Sequence, residues 1–263
     1  MGILDSFRLD GKTAIVTGCS RGLGQGISLG LAQAGANIFG VDCFPDAHET
    51  KEMVEKARAH DGNKCPVRFE YFSANLLSIE PIEKIFEQAL KFFPTVDIVV
   101  NNAGIIKRND AIDFTESDWD DVMNINLKTV FFMCQAAARQ FIKQKTGGKI
   151  INIASLLSYQ GGIRVPSYTA SKSGVKGITM LMANEWAKFG INTNAIAPGY
   201  MATDNTAPLR ADPDRSAAIL GRIPAERWGT PEDLAGTAVF LASPASDYIN
   251  GFTIAVDGGW LAR

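Results

Sequence analysis

Short apolar runs alternate with longer stretches of helical periodicity along the whole chain, and this alternation limits the possible folds more than any other feature. The predicted strands are residues 13–17, 37–42, 67–73, 97–101, 149–154, 192–197 and 253–256. The predicted helices lie between them, at residues 23–34, 81–92, 116–143, 168–189 and 231–242. Several of the runs are continuously apolar, as in parallel strands that are buried on both faces. The pattern therefore predicts an α/β fold with a doubly wound parallel sheet.

A single domain spanning residues 1–263 is expected, because the sequence shows no internal repeat, low-complexity tract or linker. The segment 203–227 interrupts the alternation, since it is polar and contains Pro208, Pro213 and Pro224. It lies between the sixth and seventh predicted strands, near the edge of a parallel sheet where ligands bind. We interpret this segment as a small helical lid over a substrate. An ordinary surface helical hairpin is the alternative.

Charge and cysteine content argue against several classes of protein. The 263 residues carry a formal net charge of −2 and no long run of Lys and Arg, so we expect no nucleic-acid partner. No stretch of ~18 apolar residues occurs, so no membrane span is expected. The cysteines form no Cys-x-x-Cys pair and there are only two histidines, so we expect no metal site. Isolated cysteines are expected to be reduced thiols, which indicates a cytoplasmic protein. These cysteines and histidines are Cys19, Cys43, Cys65, Cys134, His48 and His60.

A glycine cluster with the spacing Gly18-x-x-x-Gly22-x-Gly24 follows the first predicted strand. A strand–turn–helix cluster of this kind brings backbone amides and a helix N-terminus to the pyrophosphate of a dinucleotide. Taken alone, the cluster also fits a tight turn that binds no ligand. The predicted cofactor contacts of this turn are Gly18, Ser20, Arg21, Gly22, Leu23 and Gly24.

Asp42, at the end of the second predicted strand, bears on the choice between NAD and NADP. A carboxylate at this place accepts hydrogen bonds from the adenosine ribose of NAD and repels the 2′-phosphate of NADP. The alternative is a carboxylate that only caps the next element. Arg21 favours NADP, because its guanidinium could pair with that phosphate. Asp42 lies nearer the expected ribose, so NAD is the predicted cofactor and NADP the less favoured one.

Two further turns follow predicted strands at the same edge of the sheet. After the fourth strand, small residues would let the chain pass close to the adenine and ribose, although an ordinary Asn-Gly-type turn is the alternative. After the sixth strand, a turn could hold the nicotinamide amide. The predicted cofactor contacts of these turns are Asn102, Ala103, Gly104, Pro198, Gly199, Met201 and Thr203.

Tyr168 and Lys172 form a Tyr-x-x-x-Lys pair, whose spacing places both side chains on one face of a helix. A phenol has an unperturbed pKa of about 10, and a neighbouring ammonium group lowers it. A tyrosine in this setting can take a proton from an alcohol or return one to a ketone. Such a pair is common by chance, but here Ser155 lies upstream and the glycine-rich turns accompany it.

These motifs together resemble the short-chain dehydrogenase/reductase family over nearly the whole chain, including Asn101–Gly104 and the stretch Val256-Asp257-Gly258-Gly259. The resemblance implies a Rossmann-type sheet of about seven strands, a nicotinamide cofactor and, usually, a homotetramer. Asn75, followed by Leu76, stands where many members carry an aspartate near the adenine. An amide also donates and accepts hydrogen bonds, so both residues are predicted to contact the cofactor.

The resemblance also implies roles for four residues. Tyr168 would be the general acid/base, and Lys172 would hold the nicotinamide ribose and lower the tyrosine's pKa. Ser155 would hydrogen-bond the reacting oxygen of the substrate. Asn126 would anchor a water that leads from Lys172 to solvent. Considered singly, Ser155 could equally be a loop hydroxyl and Asn126 a structural helix amide.

Within that family, the later half of the chain is most similar to 2-keto-3-deoxygluconate 5-dehydrogenases, at residues 156–166, 201–212 and 222–233. This implies an NAD-dependent conversion of 2-keto-3-deoxygluconate, a sugar acid, to 2,5-diketo-3-deoxygluconate. The pocket for a sugar acid needs a cation and polar donors. The predicted substrate contacts are Ser155, Gln160, Arg164 and Met201. The other candidate cations are Lys107, Arg108, Arg210, Arg222 and Arg227.

Three other functions stay open at this point. Two belong to the same family, a gluconate 5-dehydrogenase and a 3-oxoacyl-carrier-protein reductase. The third is a non-catalytic dinucleotide-sensing protein, which the fold alone does not exclude. The presence of the complete set Asn126, Ser155, Tyr168 and Lys172 argues against it, because a protein that only binds a dinucleotide does not need all four.

Overall fold

A computed structural model of the protein describes residues 2–57 and 67–263. The strands are β1 (Thr13–Thr17), β2 (Asn37–Asp42), β3 (Phe69–Ser73), β4 (Ile98–Asn101), β5 (Gly148–Ile153), β6 (Ile191–Pro198) and β7 (Thr253–Val256). The α-helices are α1 (Gly22–Gln33), α2 (His48–Ala57), α3 (Ile82–Phe92), α4 (Glu116–Met123), α5 (Thr129–Gln144), α6 (Pro166–Trp186), α7 (Ala207–Ala211), α8 (Pro213–Leu220) and α9 (Pro231–Ala242).

The seven strands form one parallel sheet in the order β3-β2-β1-β4-β5-β6-β7. Successive side chains of the buried strand β1 point to opposite faces, so Ile15 packs into one apolar cluster and Val16 into the other. The predicted α/β class and the seven-stranded parallel sheet are therefore confirmed. The strand order reverses direction between β1 and β4, and an open α/β sheet binds its ligand at such a switch point.

The helix predicted over residues 116–143 is interrupted, so that prediction was wrong in its middle. A π-helical turn, Asn124–Lys128, separates α4 from α5. The amide of the buried Asn126 exchanges two hydrogen bonds with the backbone of Ile105, accepting from its N–H and donating to its C=O, each at 2.9 Å. This pairing joins the turn to the loop after β4, and single π-turns of this kind often mark functional sites.

Two other differences concern helices. α6 begins two residues before the predicted start, with Pro166 in its first turn, where the missing N–H of proline costs no hydrogen bond. α2 was not among the predicted helices, and its exposed side chains form ion pairs one turn apart, such as Glu52 with Lys56 at 2.8 Å. The predictions that concern Cys65 and His60 lie outside the described residues.

The segment 203–227 contains a 3₁₀ turn, Asp204–Thr206, followed by α7 and α8. This arrangement agrees with a small helical unit, while its role as a lid stays a prediction, as does the single domain.

On the other side of the molecule α1 packs closely on α9, where a β-carbon at Gly30 would lie 2.6 Å from that of Ala235. Within the described ranges, no helix has both the length and the apolar character needed to cross a membrane.

Candidate active site

A cavity of about 370 Å³ opens at the carboxyl ends of the central strands. Its size is within the usual range for small-molecule sites. It brings together most of the residues that the sequence predicts for a cofactor. Those that line it are Gly18, Arg21, Gly22, Leu23, Asp42, Asn75, Leu76, Asn102, Ala103, Gly104, Tyr168, Lys172 and Thr203.

The glycine-rich turn is packed too tightly for side chains. Gly18 has a φ of +67°, a conformation that favours glycine. A β-carbon at Gly24 would collide with the carbonyl oxygen of Gly18 and with the amide of Asn102. The Asn102 Nδ2 donates to the carbonyls of Thr17 and Gly18, each at 3.0 Å, and so fastens the turn to the end of β4. This cradle, at the N-terminus of α1, fits a dinucleotide pyrophosphate.

The carboxylate of Asp42 lines the cavity and also shapes the turn. Its Oδ2 accepts a hydrogen bond from the backbone N–H of Ser20 at 3.0 Å, and its Oδ1 accepts one from that of Cys43 at 2.8 Å. Asp42 therefore joins the end of β2 to the glycine-rich turn. The predicted ribose contact and the structural alternative are both compatible with this geometry.

Tyr168 and Lys172 lie together on the wall of the same cavity, one turn apart on α6. The Lys172 Nζ donates to the carbonyl oxygen of Ile153, at the end of β5, at a distance of 2.6 Å. The same nitrogen lies 5.6 Å from the centroid of the Tyr168 ring. The β5 strand thus fixes the position of the ammonium group beside the phenol.

Burial dominates the electrostatics of this pair. It lowers the pKa of Lys172 to about 8, because a buried ammonium group loses its hydration. Burial also raises the pKa of Tyr168, while a hydrogen bond with Ser155 and the positive charge of Arg108 oppose that rise. The net direction is opposite to the one expected from the Tyr-x-x-x-Lys spacing, and Arg108 rather than Lys172 is the cation that lowers the pKa of the phenol.

Ser155 and Asn126 are positioned by the elements that follow β5 and α4. Ser155 caps a 3₁₀ turn, Leu156–Ser158, and its hydroxyl accepts a hydrogen bond from the N–H of Leu157 at 3.2 Å. Its hydroxyl lowers the pKa of Tyr168 and so lies beside the proposed acid/base. Asn126 is buried in the π-turn, and its Nδ2 also lies 3.4 Å from the Ser171 hydroxyl on α6.

Half of the six candidate cations for a substrate carboxylate are already paired with a protein carboxylate. Arg164 pairs with Asp110 at 3.0 Å, and Arg227 pairs with Asp233 at 2.6 Å. Lys107 lies 3.1 Å from Asp118 and 3.6 Å from Asp121, Arg210 donates to the Thr203 carbonyl oxygen, and Arg222 stacks on the Trp260 ring at 4.1 Å. Ion pairing therefore makes Arg164 a weaker candidate than its sequence position indicates.

Arg108 differs from these cations in its effect on Tyr168. Its Nη2 donates to the backbone carbonyl oxygen of Asn205 at 2.9 Å. Among residues 2–57 and 67–263, no carboxylate lies within ion-pair distance of its guanidinium. Because its charge lowers the pKa of Tyr168, the guanidinium is also close enough to influence the reacting groups.

Several predicted contacts lie away from this cavity. The Gln160 side-chain Oε1 accepts hydrogen bonds from the Trp260 indole N–H at 3.1 Å and from the Arg222 guanidinium at 3.4 Å. Met201 is buried and, with Gly199, lines a second cavity of about 180 Å³. The remaining predicted residues that do not line the larger cavity are Ser20, Gly24, Asn126, Ser155, Arg164 and Pro198.

Sequence reasoning also missed residues that line the larger cavity. Most of them lie in or shortly after predicted strands, which was the signal available for finding them, because strand ends at this edge meet at the ligand site. Asp204 and Asn205 belong to the lid and Ile125 to the π-turn, and these three carried no such signal. The missed residues are Cys43, Phe44, Ala74, Leu77, Ile105, Ile125, Ile153, Asp204 and Asn205.

Sequence comparison places the chain among known oxidoreductases. Residues 18–261 match the family model described as enoyl-(acyl carrier protein) reductase. The chain is 62% identical over 261 residues to the 2-dehydro-3-deoxy-D-gluconate 5-dehydrogenase of Escherichia coli K12, covering 99% of this chain and 100% of the relative. It is 63% identical over 261 residues to the enzyme of the same name from Dickeya dadantii, with the same coverage.

A solved structure gives the corresponding comparison of folds. A crystal structure of a protein from Agrobacterium tumefaciens with bound NADP is 50% identical to this chain and superimposes with a TM-score of 0.87. The match covers 98% of this chain and 99% of the other one. The identity, the coverage and the common fold all point to a single family.

Proposed function

The chain belongs to the short-chain dehydrogenase/reductase family, and on this premise we propose that it interconverts a secondary alcohol and a ketone on a sugar acid with a nicotinamide cofactor. The favoured reaction is the oxidation of 2-keto-3-deoxygluconate at C5 to 2,5-diketo-3-deoxygluconate. One observation carries the proposal: Tyr168 and Lys172 line the same cavity as the glycine-rich turn. The names of the relatives from E. coli and D. dadantii support the choice of substrate.

The dinucleotide would be held by the glycine-rich turn, Asp42 and the residues that follow β4. A nicotinamide dinucleotide, when bound, accepts the hydride that leaves the substrate carbon. Gly18 and Gly22 line the cavity at the N-terminus of α1, where a pyrophosphate would meet backbone amides. Lys172 would hold the nicotinamide ribose, because its ammonium group is fixed at the end of β5.

Tyr168 would remove the proton of the C5 hydroxyl as the carbon is oxidised, so that the alcohol loses one proton and one hydride. Ser155, whose hydroxyl lowers the pKa of Tyr168, would hold the reacting oxygen. Burial keeps Tyr168 protonated in its resting form, which suits the acid that returns a proton during ketone reduction. The positive charge of Arg108 would stabilise the phenolate that forms during alcohol oxidation.

Arg108 would bind the carboxylate of the sugar acid. Its guanidinium is not neutralised by a carboxylate of the described residues, and it carries donors that match the two oxygens of a carboxylate. Its influence on Tyr168 would place the anionic end of the substrate within reach of the reacting groups. This assignment replaces Arg164, whose guanidinium is already paired with Asp110.

NAD would be preferred over NADP, because the carboxylate of Asp42 lines the cavity where a 2′-phosphate would add negative charge. The related protein from A. tumefaciens was crystallised with NADP, and Arg21 on the same wall could bind a phosphate. We therefore propose that the protein prefers NAD by a limited factor and still accepts NADP. The homotetramer that the family resemblance implies, and the cytoplasmic location that the free cysteines indicate, are part of the same proposal.

The test is a matrix of initial rates, measured by the absorbance of the reduced nicotinamide. Purified protein is offered 2-keto-3-deoxygluconate, gluconate and 2-deoxygluconate, each with NAD and with NADP. We expect the fastest turnover with 2-keto-3-deoxygluconate and NAD. The Tyr168→Phe variant keeps the ring but lacks the hydroxyl, and its turnover should fall by ~10²-fold or more while its binding of NADH is retained.

The outcomes separate the parts of the proposal. Turnover of gluconate alone would replace the substrate, and turnover with NADP alone would replace the cofactor. Normal turnover in Tyr168→Phe would refute the assignment of the general acid/base. Binding of NADH without turnover of any polyol or keto acid would support a dinucleotide-sensing protein instead.

A further inference from the structure

An exposed ion pair connects the lid with the glycine-rich turn. The Arg21 Nη1 lies 3.1 Å from the Asp204 Oδ2. Arg21 stands at the N-cap of α1, and Asp204 begins the 3₁₀ turn at the start of the lid. Both residues line the larger cavity. The pair therefore spans the mouth of the cavity, between the two elements that would enclose a dinucleotide.

The Arg21 guanidinium is also in contact with the segment that follows β2. It lies 4.8 Å from the ring centroid of Phe44, two residues beyond Asp42. Arg21 is thus located between the lid on one side and the end of β2 on the other. Asp42 marks the place proposed for the adenosine ribose, so the guanidinium lies in the region where a 2′-phosphate would be added.

Asp204 and a 2′-phosphate would compete for the same guanidinium. Arginine pairs with carboxylates and with phosphates through the same fork of N–H donors. A guanidinium held on the lid by Asp204 is partly neutralised and is turned toward that carboxylate. The pair is solvated, with 64% of the Arg21 side chain and 75% of the Asp204 side chain exposed, so a ligand can displace it at low cost.

We propose that Asp204 is a determinant of dinucleotide choice, which disfavours NADP by holding Arg21 on the lid. This inference rests on the proposed function, because it presupposes a nicotinamide cofactor in the cavity. Asp42 acts at the end of β2, while Asp204 acts from the lid through Arg21. A dinucleotide with a 2′-phosphate would have to break a contact between the lid and the turn, and one without it would leave that contact in place.

The test compares equilibrium dissociation constants of NADH and NADPH, measured by fluorescence titration without substrate. Asp204→Asn keeps the size of the side chain and removes its charge. An exposed ion pair of ordinary strength corresponds to a shift of about 2- to 5-fold. We expect Asp204→Asn to tighten NADPH binding by that factor relative to NADH binding. Asp214→Asn is the matched control, because it removes an equal charge from an exposed side chain on α8.

A double-mutant cycle with Arg21→Gln separates the mechanism from a general effect of charge. The Asp204→Asn shift should disappear when Arg21 is replaced by glutamine. A shift that persists there would mean that Asp204 repels the phosphate directly, and an equal shift in Asp214→Asn would mean that any lid charge suffices. Either result overturns the proposal, and so does an Asp204→Asn variant whose ratio of NADPH to NADH dissociation constants is unchanged. Failure of the unmodified protein to bind either dinucleotide would instead refute the proposed function itself.

Discussion

At the scale of single residues, Arg108 links substrate recognition with the chemistry of Tyr168. Replacement by glutamine removes a charge that lowers the pKa of the phenol and the group proposed to bind the sugar-acid carboxylate. We predict a rise in KM of about 10-fold or more, the usual loss for a hydrogen bond to a charged group. The pH profile of alcohol oxidation should also shift to higher pH, because the tyrosine deprotonates less readily.

The control for this prediction is Arg164→Gln. The Arg164 guanidinium is neutralised by its ion pair with Asp110, so its loss should leave the KM and the pH profile nearly unchanged. Steady-state kinetics at several pH values would decide between the two arginines. If Arg164→Gln raised the KM and Arg108→Gln did not, the original sequence-based choice would be correct.

Lys172 gives a pH-dependent prediction for stability. Burial lowers its pKa to about 8 in the folded protein, whereas lysine in an unfolded chain titrates near 10.4. Between these values the unfolded chain keeps the proton and the folded chain has lost it, so this residue makes the free energy of unfolding rise with pH. The free energy of unfolding of the wild-type protein minus that of Lys172→Met should increase by about 1 kcal/mol per pH unit from pH 8 to pH 10.

Urea unfolding without cofactor, at pH 7, 8, 9 and 10, measures this difference. Burial raises the pKa of Cys19 and of Cys134 to about 12, which lowers stability at high pH. Both thiols are present in both proteins, so their effect cancels in the subtraction. If the free energies of unfolding of the two proteins differed by the same amount at every pH, Lys172 would not be desolvated, contrary to its burial in the structure.

The residue scale also shows what the sequence could not predict. The glycine-rich turn, Asp42, Tyr168 and Lys172 line one cavity, as predicted, because local spacing after strands and along one helix determines their positions. Arg164 and Gln160 were assigned to the substrate, but their partners, Asp110 and Trp260, are distant in sequence. Pairing of this kind depends on tertiary contacts, which no local pattern contains.

At the scale of secondary-structure elements, the contact between α1 and α9 is the most sensitive to a small change. A β-carbon at Gly30 would lie 2.6 Å from that of Ala235 and 3.2 Å from its Cα, so the two helices would have to separate. We predict that Gly30→Ala lowers the free energy of unfolding by about 1–3 kcal/mol, as overpacking does in other cores. Urea unfolding, combined with NADH titration, would detect the loss and any shift of the turn at the start of α1.

Gly236→Ala on α9 is the matched control, because a β-carbon there would meet no atom within 4 Å among the described residues. Both substitutions raise helix propensity, by up to about 1 kcal/mol. Only the packing differs, so Gly236→Ala should be neutral or stabilising. Equal effects of the two substitutions would mean that the helices do not approach as closely as described.

The elements themselves were predicted well where hydrophobic periodicity was uninterrupted. The bounds of β1, β2, β7 and α9 agree with the sequence pattern. The interruption between α4 and α5 was missed, because the residues of the π-turn are compatible with an α-helix. What fixes that turn is the pairing of Asn126 with the backbone of Ile105, a contact between two separate elements.

At the scale of the whole molecule, the exposed apolar surface agrees with the assembly that the family resemblance implies. Phe252 is 60% exposed, and the preceding Gly251 lies against Met180 and Ala183 on α6. Met180 and Leu181 are also exposed, so apolar side chains from α6 and from the start of β7 lie close together. Exposed apolar groups that cluster in this way are typical of interfaces.

We therefore predict that Phe252→Asp converts the expected homotetramer into smaller species, because a buried carboxylate without a partner is costly at an interface. Light scattering coupled to size-exclusion chromatography would measure the change in mass. Ile112→Asp is the control, since Ile112 is 92% exposed on the loop after β4. A monomeric unmodified protein, or an unchanged mass for Phe252→Asp, would contradict the prediction.

The packing of α1 against α9 also has a consequence for how the protein is made. Gly30 and Ala235 are 205 positions apart (235 − 30) in a chain of 263 residues, so α1 leaves the ribosome long before its partner helix exists. Until then the face of α1 that contacts α9 stays open to water and to other nascent chains. Contacts between distant segments also form slowly. The contact with α9 that stabilises α1, and with it the glycine-rich turn at its start, can therefore form only when the last few dozen residues are synthesised. A stalled or truncated chain lacks this contact and would be prone to aggregate.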